Sequence, residues 1–224
     1  MRILIIRHGD PDYANDSLTE KGRREAEQLS KRLAGEQLDY IYCSPLGRAQ
    51  ATAAPTVRVT GLQPETKEWL REFPANIKTD YRPDGMCPWE MLPRHWSSIP
   101  ALYDRKQWKS APPFAESRVP EVYDRVCGEF DKLIAEHGYT REGQVYAADR
   151  PNDETLAFFC HQGLGLTLVS HIIGLSLPQV WQTMFLPTSS VTLFHMEEHR
   201  EEPGSALLRC IYLGDISHLY RADG

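Results

Sequence analysis

Residues 1–9, MRILIIRHG, contain the stretch of sequence that decides the fold class. Positions 3–6 form a continuous apolar run, which is typical of a parallel strand buried on both faces. The run ends at positions 7–9 in Arg-His-Gly, which a buried strand does not favour. Ligands of open α/β sheets bind at the carboxyl ends of strands. The sequence therefore predicts a three-layer α/β sandwich, with a largely parallel sheet between helices and polar side chains at the end of its first strand.

A polar loop and a helix follow this strand. Ser17 is a suitable N-cap for the helix, with Glu20 three residues later to complete a capping box, and Thr19 is the alternative cap. Apolar residues continue at helical spacing to Leu33, and Gly35 is a suitable end. The order of strand, loop and helix indicates a βα unit whose loop lies at the carboxyl end of the strand.

Several later segments have the pattern of strands and helices. Strands are predicted at residues 40–43, 57–59, 144–148, 155–160, 191–196 and 206–213. The last two are predicted to be antiparallel, at an edge of the sheet. An apolar helix is predicted from about Leu164 to Ile173.

The segment 69–125 differs from the rest of the chain. Residues 69–120 hold four of the five tryptophans and eight of the 16 prolines, with little periodicity. Tryptophans need a surface to pack on, so the segment is not a linker. We predict a single domain, residues 1–224, in which 69–125 forms an insert or lid over the active edge of the sheet.

Composition excludes several classes of function. Twenty-five Lys and Arg residues stand against 31 Asp and Glu residues, and the resulting net charge of −6 argues against nucleic acid or an anionic membrane as a partner. No apolar run approaches the ~20 residues of a membrane span. The five scattered cysteines include no CxxC pair, which predicts reduced thiols in a cytoplasmic protein. No metal-ligand motif or Walker A sequence is present, so we predict neither a metal nor a cofactor.

Four basic or imidazole side chains follow the predicted strands. Arg7 and His8 end the first strand, Arg48 lies just beyond the second, and His161 follows the strand at 155–160. In a parallel sheet they meet at one edge, where two guanidinium groups and two imidazoles suit a phosphoryl group. The alternative is that the histidines are structural and the arginines are solvated. The pattern alone leaves both interpretations open.

Three ordered motifs resemble those of the histidine phosphatase superfamily, which includes the cofactor-dependent phosphoglycerate mutases. They are RHG at 7–9, SPLGRAQATA at 44–53 and CHQG at 160–163, and LTEKG at 18–22 resembles the start of the family's first helix. The resemblance is good over residues 1–60 and about 144–213, and poor over 69–125.

The resemblance implies a mechanism and roles for individual residues. His8 would be the nucleophile that forms a phosphohistidine, and Arg7, Arg48 and His161 would hold the phosphoryl oxygens. Asn15 lies where the family's first loop often supplies a phosphate donor, although it also suits a simple turn. No metal is required, because the arginines supply the positive charge.

A glutamate is expected to protonate the leaving oxygen. Glu72, in the LRE sequence at 70–72, resembles the acid of the mutase-like branch, although the family's aromatic and glycine-rich continuation is missing. Glu90 and Glu68 are the alternatives.

We therefore predict a phosphatase that hydrolyses a small phosphorylated substrate, a phosphomonoester. One alternative is a phosphoglycerate-type mutase, and another is a catalytically silent module that binds a phosphorylated ligand. The cations of 69–125 are interleaved with Glu and Asp and form no tight basic cluster. This favours hydrolysis, in a pocket that is open to water and suits a less polar leaving group.

Overall fold

The computed structural model describes residues 1–220, which form a central sheet between two layers of helices. The strands are β1 (Arg2–Arg7), β2 (Pro11–Asp12), β3 (Ser17–Leu18), β4 (Tyr40–Cys43), β5 (Glu65–Thr66), β6 (Ile77–Thr79), β7 (Arg82–Met86), β8 (Tyr139–Glu142), β9 (Val145–Ala148), β10 (Thr155–Cys160), β11 (Val191–Glu198) and β12 (Ser205–Asp215). The helices are α1 (Glu20–Leu33), α2 (Gly47–Thr60), α3 (Pro93–Ser97), α4 (Val119–Glu136), α5 (Gln162–Ile173) and α6 (Leu177–Thr183). None of these helices is both long and apolar enough to cross a membrane.

The central sheet has eight strands in the order β5-β4-β10-β1-β11-β12-β9-β8. The strands from β5 to β1 pair in parallel, and those from β1 to β8 pair antiparallel. The predicted α/β sandwich is confirmed. β11 and β12 are antiparallel as predicted, but they lie inside the sheet rather than at its edge, because β9 and β8 continue the sheet beyond β12.

Strand β1 is buried on both faces, as its apolar run predicts. Ile3 and Ile5 pack in one hydrophobic core with residues of α4, α5 and α6. Leu4 and Ile6, which point the other way, pack in a second core with residues of α1 and α2. The alternation of one strand between two cores produces the three layers.

Two local predictions differ from the structure. Residues 57–59 are not a strand but the last turn of α2, which ends at Gly61 with a φ of 72°. A left-handed residue at this position is the usual end of a helix, and glycine adopts it without strain. At α1 the cap is Thr19, whose hydroxyl accepts a hydrogen bond from the Gly22 amide at 3.1 Å, whereas Ser17 lies in β3.

The segment 69–125 packs against the same core as the sheet. It contains the β6–β7 hairpin, α3 and several 3₁₀ turns, and α4 begins at Val119 within its predicted limits. Trp108 and Phe114 are fully buried, and their rings make an edge-to-face contact with centroids 5.7 Å apart. The tryptophans of this segment are thus core and partly buried packing residues. Its assignment as an insert within one domain stays a prediction.

Candidate active site

The carboxyl ends of β1, β10 and β4 lie side by side and bring two histidines together. In the parallel ladder Arg7 is opposite Cys160, so His8 and His161 both follow directly after paired residues. Their ring centroids are 5.2 Å apart, and both side chains are almost completely buried. Ser44 directly follows β4, and its Oγ lies 2.7 Å from Nε2 of His161.

The imidazole of His8 is held in one tautomer by the backbone of the next residue. Its Nδ1 is 2.7 Å from the carbonyl oxygen of Gly9. A carbonyl only accepts hydrogen bonds, so Nδ1 carries the proton and Nε2 keeps its lone pair. Burial lowers the pKa of His8 to about 4, and the charges of Arg7 and Arg48 act in the same direction. His8 is therefore neutral at neutral pH, with an unprotonated Nε2.

Arg7 is positioned by the segment that follows α6. Its Nη1 donates to the carbonyl of Leu186 at 2.5 Å and to Oε1 of Gln162 at 3.3 Å, and its guanidinium carbon lies 5.3 Å from the Phe185 ring. The same Gln162 oxygen accepts from the Leu186 amide at 3.0 Å. Gln162 thus ties Arg7 to this segment. Sequence reasoning did not assign this role, although Gln162 follows His161 in the CHQG motif.

Arg48 is positioned by the loop that precedes α1. Its Nη1 donates to Oδ1 of Asp16 at 2.7 Å, while Oδ2 accepts from the Gly47 amide at 2.7 Å. These bonds hold the pKa of Asp16 below its usual range, although burial acts in the opposite direction. A Cβ atom on Gly47 would lie 2.1 Å from the backbone oxygen of Asp16, so only glycine permits this approach. Asp16 is a second residue that sequence reasoning missed.

His161 is also a neutral imidazole. Burial lowers its pKa to about 2, with Arg48, His8 and Arg7 contributing in the same direction. Among the described residues, Nδ1 of His161 and the Nε atoms of Arg7 and Arg48 are buried without hydrogen-bond partners. Buried polar atoms are seldom left unpaired in proteins, and the unpaired ones are often found at functional sites.

The carboxylate of Glu72 lies at the amino end of α5. Its Oε1 accepts from the amides of Phe73 at 2.9 Å and Leu164 at 3.0 Å, and its Oε2 accepts from Gly163 at 3.3 Å. Burial raises the pKa of Glu72, although these three N–H groups favour the charged form. A carboxyl group with a raised pKa has the property that a general acid needs.

A cavity of about 860 Å³ opens above these groups. Its lining residues are Arg7, Tyr13, Arg48, Glu72, Cys87, Trp89, Glu90, Gln162, Trp181, Gln182, Thr183, Met184 and Phe185. A Cβ atom on Gly163 would lie 2.3 Å from the Trp89 ring, so this glycine lets the indole pack against the start of α5. In the described part of the chain, no cluster of three or more His, Cys, Asp or Glu side chains could hold a metal ion.

The profile of the histidine phosphatase superfamily (branch 1) matches residues 3–204. The chain belongs to the histidine phosphatase superfamily. The predicted family is confirmed, and the relatives of this member of the superfamily include phosphatases. Phosphoserine phosphatase 1 of Hydrogenobacter thermophilus is 22% identical over 213 residues, which cover 89% of each chain.

Solved structures share the fold of this histidine phosphatase superfamily member. The mycobacterial glucosyl-3-phosphoglycerate phosphatase has a TM-score of 0.62 at 21% identity, over 95% of this chain and 98% of its own. The phosphoserine phosphatase of Entamoeba histolytica, in complex with 3-phosphoglyceric acid, has a TM-score of 0.63 at 16% identity. That match covers 97% of this chain and 98% of the other.

Most of the predicted site residues lie together in this superfamily member, and two do not. Glu72 and Glu90 line the cavity, but Glu68 does not and pairs with Arg71 at 3.4 Å. Asn15 is not in the site either, because its exposed side-chain amide donates to Asp12 at 2.7 Å and so closes a turn. The loop residue that reaches the site is its neighbour Asp16, through Arg48.

Proposed function

We propose that the protein is a phosphatase that hydrolyses a phosphomonoester through a phosphohistidine on His8. The observation that carries the proposal is the hydrogen bond from Nδ1 of His8 to Gly9, which leaves Nε2 unprotonated beside two arginines. A site that only bound phosphate would need no nucleophile with its lone pair held ready.

In the first step, Nε2 of His8 forms a bond to phosphorus while the bond from phosphorus to the ester oxygen breaks. The leaving oxygen takes a proton from the carboxyl group of Glu72, and the alcohol departs. In the second step, a water oxygen attacks phosphorus and the bond to Nε2 breaks. Glu72, now a carboxylate, takes a proton from the water, and inorganic phosphate is released.

Arg7, Arg48 and His161 stabilise the negative charge that spreads over the phosphoryl oxygens. The buried Nε–H groups of both arginines have no partner among the described residues, and we assign them to those oxygens. The guanidinium groups are held by Gln162 and Asp16 before the substrate binds. Such preorganised charge supplies what a metal ion would otherwise contribute.

Hydrolysis is favoured over the mutase alternative by the shape of the cavity. A mutase has to keep its phosphohistidine from water while its substrate reorients. Here the cavity is bordered by strongly exposed rings, those of Tyr13 and Phe185, and is open to solvent. Four residues of the predicted lid, Glu72, Cys87, Trp89 and Glu90, line the cavity.

The reduced thiols of the five free cysteines support a cytoplasmic location.

The test compares hydrolysis with isomerisation. We expect the wild-type protein to release phosphate from p-nitrophenyl phosphate, His8→Ala to be inactive, and His195→Ala, which changes an exposed histidine on β11, to keep full activity. In parallel, 3-phosphoglycerate is offered with catalytic 2,3-bisphosphoglycerate. Fast interconversion of glycerate phosphates without phosphate release from the aryl ester would contradict the proposal.

A further inference from the structure

Two aromatic rings at the cavity are unusually exposed for their size. Tyr13 is 68% exposed and Phe185 is 63% exposed, and both line the cavity. Phe185 stacks on Arg7 at 5.3 Å, and Tyr13 stacks on Arg48 at 5.5 Å. Each ring is therefore next to the phosphoryl site. Exposed apolar surface beside a polar site is typical of a binding surface.

The inner wall of the cavity is also aromatic, and it is rigid. The Nε1 of Trp181 donates to the carbonyl of Gly163 at 2.9 Å, and its ring meets that of Trp89 edge to face, with centroids 5.4 Å apart. The Phe73 ring makes a second edge-to-face contact with Trp181, with centroids 4.8 Å apart. The side-chain amide of Gln182 donates a hydrogen bond to the Pro88 carbonyl at 2.7 Å. A bound alcohol therefore meets fixed aromatic surface.

The charges around the cavity are placed for one anionic group and not for two. Among the described lining residues, the cations are Arg7 and Arg48, which the phosphoryl group uses. The other charged lining residues are the carboxylates Glu72 and Glu90. Arg82 lines a neighbouring cleft, and that cleft shares Glu90 with the cavity. A second anionic group on the substrate would thus meet Glu90 without a matching cation.

From these observations we infer that the preferred substrate is a phosphomonoester of an uncharged, apolar alcohol that carries an aromatic ring or an extended hydrocarbon. The inference rests on the proposed phosphatase function. It assigns the alcohol to the surface formed by Tyr13, Trp89, Trp181 and Phe185. It also separates this chain from the relatives that are named for substrates with a carboxylate.

A panel of esters with similarly poor leaving groups tests the preference. It contains benzyl phosphate, glycerol 3-phosphate, O-phosphoserine and 3-phosphoglycerate, so that reactivity of the leaving group does not dominate. Burial of an aromatic side chain contributes about 1.5–3 kcal/mol, which corresponds to roughly 10- to 150-fold in kcat/KM. We expect benzyl phosphate to exceed glycerol 3-phosphate by about that factor, and both carboxylate esters to be poorer still.

Two variants locate the preference in the cavity. Phe185→Ala should reduce the ratio of kcat/KM for benzyl phosphate to that for glycerol 3-phosphate by about tenfold. Tyr220→Ala, which removes an even more exposed ring outside the cavity, should not change the ratio. Glu90→Lys should raise kcat/KM for 3-phosphoglycerate by about fivefold to tenfold relative to benzyl phosphate. Glu201→Lys makes the same charge change on the exposed β11–β12 connection and should leave the ratio unchanged.

The outcomes separate this inference from the proposed function. Equal or better turnover of 3-phosphoglycerate or O-phosphoserine would overturn the inference and leave the phosphatase function intact. Loss of that turnover in Arg82→Ala would identify the neighbouring cleft as a second anion site. If no ester on the panel is hydrolysed in a His8-dependent way, the proposed function fails and the inference fails with it.

Discussion

Nδ1 of His8 and the carbonyl oxygen of Gly9 are 2.7 Å apart, so the tautomer of the candidate nucleophile is fixed by the next residue in the chain. Many catalytic histidines depend on a distant carboxylate for this orientation. A neutral backbone acceptor raises the basicity of the ring less than a charged carboxylate would, and burial outweighs its effect on the pKa of His8. This suits a nucleophile that must stay unprotonated beside Arg7 and Arg48.

The first prediction concerns the covalent intermediate. Brief mixing with ³²P-labelled substrate, followed by denaturation, should give a phosphoenzyme that is labile in acid and stable in base. His8→Ala should take up no label, while His195→Ala should be labelled like the wild type. Thermal melts of both variants show whether the fold is retained. Equal labelling of a folded His8→Ala protein would assign the nucleophile elsewhere.

The second prediction concerns Arg48. Arg48→Ala should lower kcat/KM by about 10²–10³, as removal of one preorganised donor does in other enzymes. Asp16→Asn keeps Arg48 but weakens its ion pair, so we expect a smaller loss, of about tenfold. Arg58→Ala is the matched control, because Arg58 lies on the same helix and is exposed. Equal activity of Arg48→Ala and Arg58→Ala would remove Arg48 from the site.

The third prediction concerns the general acid. Glu72→Gln cannot donate the proton, so hydrolysis of benzyl phosphate should fall by about 10²–10⁴. p-Nitrophenyl phosphate has a good leaving group and should be affected far less. Glu68→Gln, which alters a glutamate outside the cavity, should change neither rate. If Glu72→Gln hydrolyses both esters normally, the role passes to Glu90, the other glutamate of the lining.

The parts of the site that depend on short stretches of chain could be predicted from sequence. Positions 3–6 identified β1, and the residues after β1, β4 and β10 identified His8, Arg48 and His161. The roles of Gln162 and Asp16 could not be predicted in this way. Gln162 acts through the Leu186 amide, 24 residues later, and Asp16 acts through a loop that folds back on Gly47. Such contacts depend on tertiary structure, which has no local pattern.

The sequence of helix α4 carries a helical pattern of apolar residues. Its buried residues Val119, Val122, Val126, Phe130 and Leu133 recur every three or four positions. Pro120, the second residue of α4, and the prolines of the preceding segment favoured an irregular structure and hid the first turn of the helix. The preceding residues are different, because short 3₁₀ turns and hairpins leave no period to detect.

The fourth prediction concerns divalent metals. Because Arg7 and Arg48 supply the positive charge, phosphatase activity should survive prolonged treatment with excess chelator. The measurement is the rate of p-nitrophenyl phosphate hydrolysis before and after chelation and buffer exchange. Loss of activity that a divalent ion restores would show that the arginines are insufficient.

The last prediction concerns pH and follows from the two pKa shifts. His8 attacks only when its Nε2 is unprotonated, and its pKa is lowered to about 4. Activity should therefore stay high well below the ordinary histidine pKa of about 6.5 and fall as the pH drops through about 4. Glu72 must be protonated to act as an acid, and burial raises its pKa. Activity should consequently fall again as the pH rises through the pKa of Glu72.

The measurement is the pH profile of kcat/KM for wild type and Glu72→Gln with benzyl phosphate, because its poor leaving group needs the proton of Glu72. Ionisation of the substrate and of His8 is the same for both proteins, so the ratio of the two profiles isolates the ionisation of Glu72. Glu72→Gln should keep the acidic limb and lose the alkaline limb, because its side chain does not titrate. An acidic limb centred near pH 6.5 would mean that the pKa of His8 is not lowered in the folded protein. An alkaline limb that persists in Glu72→Gln would belong to another group.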